Sequence, residues 1–154
     1  MDFTITEKVP SELIFSQSIF DSLKASYPAF DAWVEKISEY EENRHCLLIE
    51  NWDCEYHAIV IMKLNEDDNA YDFVLPVTKI STFKVMDAFM GRGYGTSLLV
   101  KAETKAKEIG ASTIYLEVLP TRQDLIRFLT EKGYSALDGM TTPHGEIVLS
   151  KLLG

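Results

Sequence analysis

The sequence predicts a mixed α/β (α+β) fold, with a mostly antiparallel sheet flanked by about four helices. Three observations carry that reading. Apolar runs rich in β-branched and aromatic residues alternate with stretches whose apolar residues recur at helical spacing. Two of those runs, residues 45–50 and 56–64, are separated only by Asn51, Trp52, Asp53, Cys54 and Glu55. Such turn chemistry makes them an antiparallel hairpin. A further run, residues 74–85, leads through a turn with glycines at 91, 93 and 95 into a helical pattern.

In chain order, residues 3–6 alternate and predict a short first strand. Ser11, following Pro10, is placed to cap a helix carrying Leu13, Ile14, Ile19, Phe20 and Leu23. Tyr27 and Pro28 break it. A second helix follows from about residue 28, with Phe30, Trp33, Val34 and Ile37 on one face and Glu35, Lys36 and Glu39 on the other. The hairpin, a polar loop at 65–69 and the strand at 74–85 come next. The helix after the glycine turn spans about residues 93–109, burying Leu98, Leu99, Ala102, Ala106 and Ile109, and Gly110 stops it. In residues 113–118, Ile114, Leu116 and Val118 share one face while Thr113, Tyr115 and Glu117 share the other. A last helix runs from about 120 to 132, and residues 134–137 and 146–152 predict two closing strands.

At 154 residues the chain predicts one domain, residues 1–154, able to bury roughly 68–70 % of its unfolded surface. No apolar run approaches the ~20 residues of a membrane span, and the first residues lack the basic and apolar regions of a signal peptide. Cys46 and Cys54 make a poor disulfide framework, so a reducing cytoplasm is the expected compartment. The net charge of −9 argues against nucleic-acid binding. It is uneven. Residues 1–78 hold 5 Lys/Arg against 16 Asp/Glu, and residues 79–154 hold 10 against 8. The second part thus suits a polyanionic ligand and the acidic first part a cationic amine, though an acidic surface kept for solubility explains the split equally.

A strand, a glycine turn and a helix form a site for phosphate, because the first N–H groups of the helix lack partners and carry partial positive charge. Neither the P-loop nor the dinucleotide fingerprint fits. No Lys-Ser/Thr pair follows the glycines, and they fall as Gly-x-Gly-x-Gly. A glycine turn that binds nothing is the remaining structural alternative.

Val85, Gly93 and Gly95, with Arg92 between the glycines, resemble the acyl-CoA-binding signature of the GNAT superfamily of N-acyltransferases: Val, four residues, Gln or Arg, two residues, Gly, one residue, Gly or Ala. Leu116, Val118, Ile126, Phe128, Gly133 and Tyr134 resemble a second stretch of that family. The resemblance implies a GNAT fold whose sheet splays between two central strands, acetyl-CoA or a related acyl-CoA as cosubstrate, and acyl transfer to an amine. Phe83, Lys84 and Val85 would line the pantetheine arm. Gly91, Arg92, Gly93, Tyr94, Gly95 and Thr96 would hold the pyrophosphate, and Arg122 the adenosine phosphates.

Three positions depart from the family pattern. Met90 stands at the Gln/Arg position, Arg122 replaces an asparagine, and Leu129 replaces a tyrosine cast in many members as the acid for the leaving thiolate. A catalytically weak or inactive acyl-CoA-binding or protein-interaction module on the same fold is therefore the rival reading.

The reaction needs a base to free the amine and a donor for the oxyanion. Glu117, in a Leu-Glu-Val context used by the branch that acetylates ribosomal-protein N-termini, is the candidate base. An exposed structural carboxylate is its bland alternative, and Glu50 and Asp53 are weaker candidates. No metal is expected: His45 and Cys46 are adjacent on a strand and point to opposite faces. His144 falls in a turn-rich segment and reads as solvent-exposed. The acceptor's identity and the oligomeric state, a homodimer included, stay open.

Overall fold

Among the described residues, the alternation of strand-like and helical patterns produces seven strands and four α-helices. The strands are β1 (Ile5–Lys8), β2 (Arg44–Glu50), β3 (Tyr56–Lys63), β4 (Val77–Val85), β5 (Thr113–Val118), β6 (Ser135–Thr141) and β7 (Ile147–Leu152). The helices are α1 (Ser18–Ser26), α2 (Phe30–Ile37), α3 (Tyr94–Glu108) and α4 (Gln123–Glu131). This computed structural model describes residues 3–27, 29–39 and 41–154. Pro28, read as the break between the first two helices, lies outside them, as do Met1 and Asp2.

The strands form one sheet in the order β1-β2-β3-β4-β5-β7-β6. Every neighbouring pair is antiparallel except β4 with β5. That parallel pair is short: Val77 faces Thr113, Thr78 faces Ile114 and Lys79 faces Tyr115, and there the pairing ends. Residues 80–85 of β4 continue alongside β3 alone, so the sheet opens into a splay at its centre.

Period-2 alternation sorts the core. Leu47, Ile49, Ala58, Val60 and Met62 pack toward α3, against Leu98, Leu99, Ala102 and Ala106. Their neighbours Leu48, Ile59 and Ile61 pack toward Ile19 and Phe20 of α1 and Phe30 and Ile37 of α2. Burial on both faces is why these strands read as unbroken apolar runs. The faces of β5 divide as expected, with Ile114, Leu116 and Val118 on the α3 side and Tyr115 opposite. Among the described residues no helix is long and apolar enough to cross a membrane.

Several boundaries differ from the sequence expectation. Ser11 caps no α-helix. Residues Pro10–Glu12 form a single 3-10 turn, and the Ser11 N–H donates to Glu41 Oε1 at 2.5 Å. Leu13 is then extended and Ile14 donates its N–H to the Tyr56 hydroxyl, so the helix starts only at Ser18. Gln17 fixes that start to the hairpin: its Nε2 donates to the Cys54 carbonyl and its Oε1 accepts the Tyr56 N–H. Strand β1 begins at Ile5 because Phe3 packs edge-on against Tyr94 instead. β4 begins after Pro76, which has no N–H to give a ladder. Ile109 is not buried: it is the C-cap of α3 and 44 % exposed. β6 runs to Thr141, well past residue 137.

Candidate functional site

From Val85 the chain passes through a 3-10 turn (Asp87–Phe89) and then Met90, Gly91, Arg92 and Gly93 into α3. Gly91 and Gly93 both sit at φ +81°, a left-handed conformation that a Cβ disfavours. A Cβ at either would meet nothing within 4 Å, so both positions face open space. Gly93 is the N-cap of α3; among the described residues no side-chain cap hydrogen bond closes that helix and no acid stands in its first turn. Such a helix start suits an anion.

The loop forms one wall of a cleft of about 560 Å³ that reaches from the end of β4 to the start of α4. Every residue expected to bind the cofactor lines it except Arg92. The Arg92 guanidinium lies over the Phe89 ring at 5.3 Å instead. Phe128, Met90, Asp124 and Leu125 join the lining without having been anticipated as contacts.

Arg122 has a more specific place than its position at a helix start predicts. Its Nη2 donates to the Phe83 carbonyl at 2.9 Å, so the guanidinium sits in the splay. Burial lowers its pKa, yet a guanidinium stays charged. The same bond shows that the backbone groups of Phe83 face the splay. Met86 donates its N–H the other way, to the His57 carbonyl on β3. By the period of two, Val85 presents its backbone with Phe83, and Lys84 turns its own toward β3.

A second cleft, of about 630 Å³, lies on the opposite face of the sheet under α1 and α2, with Glu117 in its lining. Glu117 Oε1 accepts a hydrogen bond from Lys79 Nζ and Oε2 one from the Tyr71 hydroxyl, each at 2.5 Å. Burial alone pushes this carboxyl up, but the hydrogen bonds from Lys79 and Tyr71 and the charges of Lys79 and Lys63 outweigh it. The group is held below the usual carboxylate range. Burial and the bond to Glu117 raise the pKa of Tyr71 in turn. Neither Lys79 nor Tyr71 was anticipated. Lys79 follows only from knowing that β4 pairs with β5, and Tyr71 sits in the connection between β3 and β4, beyond the polar residues 65–69, where no periodicity marks it.

The other candidates fall elsewhere. Glu50 pairs with Lys8 at 4.0 Å and Asp53 stays in the hairpin turn, so neither lines either cleft. Leu129 is wholly buried in the core. His144 is exposed and lines the second cleft. His45 bonds Glu7 at 2.7 Å and Cys46 is buried away from the exposed Cys54. Among the described residues no three His, Cys, Asp or Glu side chains could hold a metal. The acidic first half of the chain does not make the second cleft acidic. The charged residues it contributes to the lining are Arg44 and Lys63.

The family described as Acetyltransferase (GNAT) family matches the sequence over residues 15–134. No curated protein matches it significantly. Solved structures match the fold. A protein of Desulfovibrio desulfuricans assigned to the GNAT family is 13 % identical with a TM-score of 0.79, covering 99 % of each chain. A GNAT-family acetyltransferase of Staphylococcus aureus Mu50 is 15 % identical with a TM-score of 0.73, over 98 % of this chain and 100 % of that one. The PaiA N-acetyltransferase of Thermoplasma acidophilum, solved in complex with coenzyme A, is 15 % identical with a TM-score of 0.70, covering 99 % of each chain.

Proposed function

The chain belongs to the GNAT acetyltransferase family, and we propose that it transfers an acetyl group from acetyl-CoA to a primary amine. The observation that carries this is the pair of clefts on opposite faces of one sheet, each lined by residues of the splayed strands β4 and β5 or the segments that follow them. The first cleft fits an acyl-CoA by its chemistry. Two left-handed glycines open the approach to the start of α3 for a pyrophosphate, and the backbone of Phe83 and Val85 is free of β5 for the amides of a pantetheine arm. To take up such an arm, Arg122 gives up the Phe83 carbonyl.

Acetyl-CoA supplies the activated acyl group: its C–S bond breaks, a C–N bond forms to the amine, the amine loses a proton and the thiol gains one. Glu117 is the base in this reading. Its carboxylate is ionised at neutral pH, draws the substrate ammonium in from the second cleft and passes the released proton to water. With Leu129 buried and aliphatic, no tyrosine hydroxyl at that position gives the thiolate its proton, and water does so. That same leucine favours the second reading, a binding module with little turnover.

The test is thermal unfolding with and without acetyl-CoA, followed by assay of CoA release with amines. Ligand at 100 times its Kd stabilises by about 2.7 kcal/mol, which for this size raises Tm by roughly 5–10 °C. No shift with either acetyl-CoA or CoA overturns the reading. A shift without amine-dependent release selects the binding module.

A further inference from the structure

The register of the sheet places Arg44 on β2 opposite Lys63 on β3, and Lys63 opposite Lys79 on β4. Residues paired across strands share a face, and all three line the second cleft. Like charges directly opposite one another are unfavourable, so a row of three cations needs counter-charge. Two have it. Lys63 Nζ lies 3.0 Å from Glu66 Oε2, and Lys79 Nζ bonds Glu117. Arg44 does not. Its Nη1 is buried and makes no hydrogen bond, and no ion pair to it occurs among the described residues. The field of Glu66 reaches it, but that carboxylate is engaged with Lys63. Glu146, also in the lining, accepts from the Thr142 hydroxyl. A half-buried guanidinium with no ion pair among the described residues carries a desolvation cost that the field of Glu66 offsets only in part, and a carboxylate arriving in the cleft offsets more of it through hydrogen bonds to the guanidinium edge that faces the cleft. The rest of the wall includes Phe30, Trp33 and Leu119, which suits an apolar body.

We propose that the acceptor is a small amine bearing a carboxylate on an apolar body, its carboxylate held by Arg44 and its amine directed to Glu117. This rests on the acetyl-transfer reading and narrows it: polyamines and simple alkylamines are excluded as preferred acceptors.

The experiment compares L-phenylalanine and L-leucine with phenethylamine and isoamylamine, which lack only the carboxylate, and with spermidine, using CoA release by the wild type, Arg44→Lys and Arg44→Met. Hydrogen bonds to charged groups are worth about 1.5–3 kcal/mol. The carboxylate should therefore lower KM roughly 10- to 150-fold, and Arg44→Met, which keeps the apolar stem, should erase that advantage while leaving acetyl-CoA affinity unchanged. Arg44→Lys retains part of it. Equal or better kcat/KM for the decarboxylated amines or spermidine overturns the proposal, as does an undiminished carboxylate preference in Arg44→Met.

Titrating the wild type with N-acetyl-L-phenylalanine and with N-acetylphenethylamine reads the same preference without turnover. If the variants fail to fold, or if acetyl-CoA does not bind and the acetyl-transfer reading falls, this titration still decides. Selective binding of the carboxylate compound supports the anion site. Equal binding, or none, refutes it.

Discussion

The glycine loop offers a test in which stability and binding move independently. At Gly93, alanine would have to adopt φ +81°, which costs an L-residue about 1–2 kcal/mol. The smaller conformational freedom of alanine in the unfolded chain returns about 0.4–1 kcal/mol. No clash adds to this, because a Cβ there meets nothing within 4 Å. The net loss is about 1 kcal/mol, a fall in Tm of roughly 2–4 °C.

Gly95 behaves oppositely. It lies in the first turn of α3, and its Cβ would touch the Phe128 and Phe83 rings at 3.6 Å, an ordinary contact. Removing a helical glycine there gains up to about 1 kcal/mol, so Gly95→Ala should raise Tm. Gly93→Ala nevertheless puts a methyl group in the open approach to the first N–H groups of α3, and Gly95→Ala narrows the cleft beside the Phe83 and Phe128 rings that line it, so both should weaken CoA by tenfold or more. Differential scanning calorimetry of the apoprotein gives the stability terms and isothermal titration with CoA the binding term. Unchanged CoA affinity in both variants would refute the loop as a phosphate cradle, whatever their Tm values.

Two further expectations concern Glu117. Glu117→Gln should cut turnover by about 10²–10⁴ if the carboxylate is the base; an unaltered pH–rate profile in that variant removes it from the mechanism. Lys79→Met takes away a hydrogen bond and a charge that hold this carboxyl below its ordinary 4.5, leaving burial, the largest single influence, to push it up. The acidic limb of kcat/KM should then move to higher pH. Stability follows the same sign. In the wild type the depressed folded pKa makes Glu117 stabilise the fold above its unfolded pKa, a contribution lost as pH falls through the folded value. In Lys79→Met that acid-side loss should shrink or reverse, as read from Tm across pH 3–6. An acidic limb and a stability profile that both stay put would contradict the assigned ion pair.

What the sequence made legible is what local periodicity controls. The two faces of β5, the buried stripe of α3 up to Ala106 and the glycines at its start are each set by residues a few positions apart, and each lies where the pattern places it. Features that depend on distant partners were not legible. Ser11 reads as a helix cap until Glu41, thirty residues on, takes its N–H. Arg122 reads as a helix-start cation for the adenosine phosphates until the splay exposes the Phe83 carbonyl to it.

The row of Arg44, Lys63 and Lys79 is the strongest case. In sequence these cations are scattered, and the first two lie in the half that carries 16 acids, so composition leaves a site for a cationic amine and a merely solvated acidic surface equally open. Strand register adds what composition does not show. The hairpin sets Arg44 against Lys63, the next pairing sets Lys63 against Lys79, and the side chains of all three converge on one cleft while most of the acids stay outside it. Net charge describes what a protein repels at a distance. The register of three strands decides what its pocket can hold, and here it leaves one guanidinium waiting for an anion.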